Sequence, residues 1–379
     1  MRVLLSGGGT GGHVYPGLAV ARALLDDHHG ETPAPASLER KRHSILYAGH
    51  PRGVEKRLVE RAGLTFAAVD SGQLRGRAPW AIAASLWRIQ RGVRQARRVI
   101  RAFRPDVVFI TGAYVTAPVA IAASMAHVPL LIYLPDLTPG LAVRWLSLLA
   151  QKVAVSFEPA ARYFPGKAVV TGYPVRAELV AAAADPAAAR RRLGLHDGKP
   201  VLLVMGGSHG ARSINQAVCA ALPTLLEHAQ VIHVTGHLDW PWVSREGECL
   251  PAALRGDYHP YPYLHEELAD ALAAADLLVN RAGASNLGEL PAVGLPAVLV
   301  PYPHAGRHQH INAAFLVEQG AARLVEDEAL AHELVPTVLE LLKDTAVRQR
   351  MAEAARSLAR TDATRRIIDL MSSMVKERR

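Results

Sequence analysis

Along this chain a short apolar run repeatedly ends in glycine and gives way to a stretch of helical periodicity. "RVLLS" is the first such run, and "VYPGLAVARALLDD" behind it spaces its apolar residues as a helix does, so the glycines between them form a strand-to-helix turn. The polar, proline-bearing "HHGETPAPASLERKR" predicts a loop before the next strand, "HSILYAG". "DVVFITG", "PLLIYLP" and "KVAVSF" predict further strands, with the small-residue helix "TAPVAIAASMA" between the first two. Strands alternating with helices predict an α/β fold whose parallel sheet is covered on both faces.

The pattern then restarts. "KPVLLVMGGSHGARSINQAVCAALPTLL" is again an apolar strand, a glycine turn and a helix. A second echo pairs "DVVFITGAYVTAPVAIAASMAHVPLLIYLPD" with "DLLVNRAGASNLGELPAVGLPAVLVPYPH". A length of 379 residues exceeds what one core usually serves. The expected organisation is therefore two Rossmann-like domains, residues 1–172 and 173–360, with residues 361–379 forming an amphipathic helix that closes back toward the first domain.

Composition narrows the partners. The formal net charge is +9, and between Ser71 and Pro105 there are nine arginines and no acid. Such a face suits an anionic partner. Cys219 and Cys249 lack metal-ligand or disulfide-framework spacing, which fits a reducing compartment. No stretch reaches the ~18 apolar residues of a membrane span and "MRVLL" is too short for a signal peptide, so a cytoplasmic protein is expected.

Gly7, Gly9 and Gly12 satisfy the G-x-G-x-x-G pattern of a dinucleotide turn. The acid that would hold a ribose at the end of the second strand is missing from "LYAGHPRG", and the Lys-Ser/Thr ending of a P-loop is missing too. His13 sits at the mouth of this turn, where open α/β sheets bind ligands; the bland alternative is a helix-start histidine bonded to backbone. The second turn, Gly206-Gly207-Ser208-His209-Gly210, aims amides at a helix start, which can hold a diphosphate without a metal. No D-x-D pair lies near it, and Glu326-Asp327-Glu328 reads as a solvated acidic stretch. Glu289, after a Gly-Ala-Ser-Asn turn, is expected in the first turn of a helix with its carboxylate able to take two sugar hydroxyls. Arg307, His308, Gln309 and Asn312 cluster after a strand ending at the same sheet edge.

The stretches "SGGGTGGHVYPGLAVA", "SGQLRGR", "RPDVVFITGAYVTAPVAIAA", "TGYPVR", "GGSHGARSIN", "ADLLVNRAGASNLGELPAVGLPAVLVPYPH" and "RHQHINAAFL" span nearly the whole chain. In this order they resemble the MurG family, the GT-B glycosyltransferases of family 28. The resemblance implies two Rossmann-like parallel-sheet domains facing a central cleft. It also implies an inverting transfer of N-acetylglucosamine from UDP-N-acetylglucosamine to lipid-linked muramyl-pentapeptide, lipid I to lipid II, in peptidoglycan synthesis. Neither a cofactor nor an essential metal is implied, because the UDP-sugar is a substrate. Carried over by position, Gly9, Thr10, Gly11, Gly12 and Tyr114 would meet the acceptor and its phosphates, with His13 as base. Arg176, Gly207 and Ser208 would face the donor diphosphate, the backbone at Leu264 the uracil, Glu289 the ribose, and His308 and Gln309 the sugar. A histidine near neutrality can take the acceptor hydroxyl's proton as that oxygen attacks the anomeric carbon.

The match departs from the family pattern in three places. Tyr133-Leu134-Pro135-Asp136 stands where the family usually has His-Glu-Gln-Asn, an altered acceptor surface; His209 and His308 each replace a glutamine. These departures keep open a related GT-B enzyme using a UDP-hexose on another lipid or glycan acceptor. A noncatalytic nucleotide-sugar-binding protein is the alternative from another class. In the basic segment Trp80, Leu86, Trp87, Arg88 and Arg91 mix aromatic and aliphatic groups with arginine, which suits an interfacial helix among anionic headgroups. "GLAVRWLSLLAQK" extends that patch. The expected partners are a UDP-sugar, a lipid-linked acceptor and an anionic membrane surface, with no nucleic acid, at the cytoplasmic face of the cell membrane as a peripheral protein.

Overall fold

The computed structural model describes every residue except 10, 27–42, 73–78, 208–209, 305–306 and 379, and for residues 79–84 the backbone alone. Its contacts divide the chain into two units, Met1–Arg176 with Thr361–Arg379, and Ala177–Arg360. No helix among the described residues is long and apolar enough to cross a membrane.

In the first unit seven parallel strands form one sheet: β1 (Arg2–Ser6), β2 (Ser44–Gly49), β3 (Phe66–Ala68), β4 (Val107–Ile110), β5 (Leu130–Leu134), β6 (Lys152–Val155) and β7 (Ala168–Val170). Their order is β3-β2-β1-β4-β5-β6-β7. Alternate residues divide between the two faces, as the pleat requires. Leu4, Val108, Ile110, Leu130 and Ile132 pack on one side among residues of helices Pro79–Phe103 and Ala117–Met125. Val3, Leu5, Val107, Phe109, Leu131 and Tyr133 pack on the other, among residues of helices Gly11–Asp26 and Ala363–Glu377. Burial on both faces explains why β4 and β5 read as unbroken apolar runs.

Two residues expected on an acceptor-side surface prove to be interior. Tyr133 and Leu134 end β5 with 0% and 2% exposure, and the Tyr133 hydroxyl lies 2.7 Å from Ser156 Oγ. The family's polar residues are thus replaced here by a strand end filling core.

The second unit holds β8 (Val201–Met205), β9 (Gln230–Val234), β10 (Tyr258–Tyr261), β11 (Leu277–Asn280), β12 (Ala297–Leu299) and β13 (Ala322–Leu324), all parallel, in the order β10-β9-β8-β11-β12-β13. β10 carries Pro260 and lies at the sheet edge, where a missing N–H costs no ladder bond.

The helix Ala363–Glu377 returns from the far end of the sequence to the first unit, burying Ile367, Ile368, Met371 and Met374 against the helix Gly11–Asp26 and β4. Met371 is 0% exposed. Replacing it with alanine removes most of a buried side chain, so Met371→Ala is expected to cost about 2–5 kcal/mol of first-unit stability in urea unfolding. An unchanged midpoint and slope would show the helix to be dispensable.

Candidate functional site

Each sheet reverses its strand order once, and the motifs gather at those reversals. In the first unit β2 and β3 lie on one side of β1 and β4–β7 on the other, so the crevice opens past the ends of β1 and β4. The Gly7–Gly9 turn leaves β1 there. A Cβ on Gly7 would overlap Thr111 Oγ1 and come within 2.6 Å of the His13 carbonyl and 2.8 Å of the Tyr47 hydroxyl, so only glycine fits. Gly9 takes φ +83°, and its missing side chain faces Ala113.

On the opposite wall Gly112 and Ala113 both have positive φ, +84° and +64°, and Ala113, with ψ 159°, holds a conformation that side-chain-bearing residues avoid. A Cβ on Gly112 would lie 3.6 Å from His13 Cδ2 and 3.9 Å from Nε2. The His13 ring therefore stands against the β4 turn, inside the crevice. Tyr114 follows that turn and is 41% exposed. The turn is braced from behind: Tyr47 donates to the Gly7 carbonyl at 3.1 Å and Thr111 donates to the His13 carbonyl. Burial, and then Glu55, push the Tyr47 hydroxyl far above its ordinary pKa, so it remains a donor. Gly11 and Gly12 open the helix that carries His13. Arg176 belongs to this unit and places its guanidinium 4.7 Å from the ring centre of Tyr15 on that helix. Thr10 lies outside the described residues.

In the second unit the reversal falls between β8 and β11. After β8, Gly206 leaves room for Ala211, Gly207 and Gly210 take φ +78° and +76°, and a Cβ on Gly210 would overlap the Thr235 carbonyl. The helix Arg212–Ala220 follows with no side-chain cap, leaving its first amides for an anion. Ser208 and His209 lie outside the described residues.

Three side chains from the start of this helix bolt it to neighbouring loops. Arg212 pairs with Asp239 at 2.7 Å. Ser213 donates to Asp327 at 2.8 Å and accepts from Arg281, whose guanidinium reaches the same carboxylate at 2.5 Å. Asn215 donates to the Thr235 carbonyl and to Asp239, both at 2.9 Å, and its oxygen lies 3.1 Å from His233 Nε2. The His233 Nδ1 is 3.0 Å from the Tyr258 hydroxyl. Since the Asn215 amide nitrogen is used on the other side, neutral His233 donates from Nε2 and accepts at Nδ1. Burial, opposed by the charge of Asp239, lowers its pKa to about 3. Burial pushes Asp239 up, but hydrogen bonds from Trp242, Arg212 and Asn215 and the Arg212 charge outweigh it and hold it below the ordinary carboxylate value.

Beyond β11, Glu289 lies in the first turn of helix Asn286–Val293 and is 8% exposed. Gln309, in the first turn of helix His308–Glu318, accepts the Tyr302 N–H at 2.8 Å through Oε1, which closes the loop after β12 and leaves its amide nitrogen for a ligand. His308 is half-buried beside it. Asn312, grouped with these in sequence, is interior and donates to the Ala282 carbonyl. Leu264 buries its side chain, so what it offers a ligand is main chain. Asp327 corrects the reading of 326–328 as merely solvated: it is the ion-pair partner of Arg281, which is 9% exposed.

On helix Pro79–Phe103, Leu86 and Trp87 are exposed, and so is Arg88. Arg91 is engaged, with Nε 3.0 Å from Asp70. Leu141, Trp145 and Leu148 are likewise exposed. The Trp80 side chain lies outside the described residues.

The family descriptions Glycosyltransferase family 28 N-terminal domain and C-terminal domain match residues 34–155 and 201–367. The chain belongs to glycosyltransferase family 28. Among curated members of the family, it is 42% identical over its whole length, and 96% of the relative's, to the UDP-N-acetylglucosamine--N-acetylmuramyl-(pentapeptide) pyrophosphoryl-undecaprenol N-acetylglucosamine transferase of Roseiflexus sp. (strain RS-1). It is 41% identical, over 99% of this chain and 100% of the relative, to the protein of the same name from Moorella thermoacetica. Among solved structures, Acinetobacter baumannii MurG superposes with TM-score 0.71 at 26% identity, covering 98% of this chain and 99% of that one. Both units are thus the parallel-sheet α/β domains of a GT-B family 28 glycosyltransferase.

The family 28 motif "GGSHGARSIN" contains more scaffold than sequence alone disclosed, because Arg212, Ser213 and Asn215 hold loops. His233 supplies a test. Unfolding frees it to bind a proton below about pH 6.5, whereas the folded protein binds one only near pH 3, so this contribution to stability is full above about pH 6.5 and is lost as pH falls. Wild-type stability is expected to drop by up to about 1.4 kcal/mol per pH unit more steeply than that of His233→Gln between about pH 6 and 4. Parallel profiles in urea unfolding would show that His233 is not buried neutral.

Proposed function

We propose that this family 28 enzyme transfers N-acetylglucosamine from UDP-N-acetylglucosamine to lipid-linked muramyl-pentapeptide, forming the disaccharide precursor of peptidoglycan. The observation that carries the reading is the His13 ring standing against Gly112 in the β1/β4 crevice, in a chain that matches transferases of that name end to end. His13 accepts the proton of the acceptor hydroxyl as its oxygen attacks the anomeric carbon. The bond from that carbon to the UDP oxygen breaks, and single displacement turns an α-linked donor into a β-linked product.

Gly9, Gly11, Gly12 and Tyr114 form the acceptor side around that base, and the family pattern assigns Thr10 to the same side. On the donor side, the role of holding the departing diphosphate falls to Gly207 and the uncapped start of helix Arg212–Ala220, and the family pattern assigns Ser208 and Arg176 to the same role. The helix amides supply the positive field that a metal supplies elsewhere, so the reaction needs none. Glu289 takes the ribose hydroxyls, Leu264 offers main chain to the uracil, and His308 with Gln309 contacts the sugar. Residues 133–135 motivate a different acceptor; Tyr133 and Leu134 are interior and offer an acceptor no side chain, so the muramyl-pentapeptide reading rests on the full-length match to transferases of that name.

The acceptor is lipid-linked, and the enzyme works as a peripheral protein on the cytoplasmic face of the membrane. Exposed Leu86, Trp87, Leu141, Trp145 and Leu148 with Arg88 provide apolar groups beside positive charge. Arg91, paired to Asp70, contributes less than a free arginine.

Two measurements test these assignments. Incubated with UDP-N-acetylglucosamine and lipid-linked muramyl-pentapeptide, the wild type is expected to give a product heavier by one N-acetylhexosamine residue. His13→Ala should lose roughly 10²–10⁴-fold in kcat with UDP affinity retained, and Glu289→Ala should raise the donor KM by about 10- to 100-fold. Wild-type turnover by His13→Ala would remove it from the base role. For the membrane surface, Trp87→Ser with Trp145→Ser should weaken partitioning onto anionic phospholipid vesicles by about tenfold or more. Equal partitioning would place the contact elsewhere.

A further inference from the structure

One acid close to the first turn has no part in the chemistry above. Glu55 lies in the first turn of helix Val54–Arg61, just past the end of β2, and is 0% exposed. Its Oε1 accepts the His50 N–H at 2.9 Å, while Oε2 is buried with no hydrogen-bond partner among the described residues. No lysine, arginine or histidine among the described residues pairs with it at salt-bridge distance. A carboxylate so placed is costly, and the start of its own helix offsets only part of that cost.

What surrounds it is glycine. A Cβ on Gly8 would come 2.6 Å from the Glu55 carboxyl carbon and 2.7 Å from Oε2. A Cβ on Gly49 would lie 2.8 Å from Glu55 Cγ, and one on Gly53 would overlap the carboxylate itself. Two of these glycines come from the β2 loop that carries Glu55, and the third from the turn that leads to His13. The side chain thus fills the space between two strand-to-helix loops at the same sheet edge.

We propose that Glu55 is a positioning residue for the acceptor side: its carboxylate is the wedge that fixes Gly8, and so sets the course of the turn into Gly11, Gly12 and His13. It touches neither substrate nor reacting atoms. Shape is the operative property, since the contact is with Gly8 itself and no cation among the described residues answers the charge. The role rests on the transfer reaction proposed above, and it predicts an effect confined to the acceptor.

The test is a set of kinetic parameters for Glu55→Ala, Glu55→Gln, Gly8→Ala and the double variant Gly8→Ala/Glu55→Ala, with lipid-linked muramyl-pentapeptide and UDP-N-acetylglucosamine. Glu55→Ala is expected to lose about tenfold or more in kcat/KM for the acceptor, with the donor KM and calorimetric UDP affinity within about twofold of wild type. Glu55→Gln, nearly the same shape, should recover to within about threefold of wild type. Gly8→Ala should be impaired alone, because the methyl meets the carboxylate, and should cost little more once Glu55 is removed.

Amide hydrogen exchange at Gly11–His13 should quicken in Glu55→Ala and be restored in Glu55→Gln, a readout that needs no turnover. Losses shared equally by donor and acceptor, additive Gly8 and Glu55 effects, or unaltered exchange at Gly11–His13 would overturn the proposal. Absence of transfer by the wild type would overturn the proposed reaction instead, leaving exchange to decide for Glu55.

Discussion

A parallel sheet leaves the carboxyl ends of two adjacent strands uncovered where its strand order reverses, since the crossovers on either side lead away from each other. This chain meets that constraint twice, at β1/β4 and at β8/β11. Loops approaching from both sides must share a narrow space, and backbone without side chains is what fits. Gly7 yields to Thr111, His13 and Tyr47, while Gly206 and Gly210 yield to Ala211 and Thr235. The glycine-rich turns are therefore consequences of packing before they are ligand sites. Without a Cβ, the backbone of these turns can be approached closely.

Glycine turns hold a shape only if something holds them, and the two units do this differently. Behind the first turn, hydroxyls donate to its carbonyls, from Tyr47 and from Thr111, and the Glu55 carboxyl fills the space beside Gly8. Behind the second, charged pairs and a neutral histidine lock the following helix: Arg212 to Asp239, Arg281 to Asp327, and Asn215 to His233. Such preorganisation matters for transfer chemistry, since donors already aimed at a leaving group need not reorganise as charge develops.

Much of this was legible in periodicity. "RVLLS", "DVVFITG" and "PLLIYLP" became β1, β4 and β5 because central parallel strands are buried on both faces and cannot alternate. β3, β7 and β13, each three residues long, were too short to stand out, and β10 was concealed by Pro260. The places of His13 and Glu289 were legible because a glycine-bearing turn after an apolar strand marks where the next helix starts. Glu55, Tyr47 and Asp327 were not: each acts on a partner tens of residues away, a contact that local spacing cannot encode. Tyr133 misled for the same reason, since only the strand pairing of β5 with β6 brings it to Ser156.

The two turns look alike in sequence yet differ in field. At the second, Arg212 and Arg281 each already have a carboxylate, so the amides at the helix start remain as positive ends of the helix dipole. At the first, the Glu55 carboxyl group is buried beside Gly8 with no cation among the described residues at salt-bridge distance. An anion resting against Gly8 would be repelled by that carboxylate. Neutral donors such as sugar hydroxyls incur no such penalty. The Gly8 side of the first turn is thus suited to neutral donors, and an anion is better served nearer the helix start at Gly11. A glycine-rich turn predicts access to backbone; the charges buried behind it decide which ligand atoms use that access.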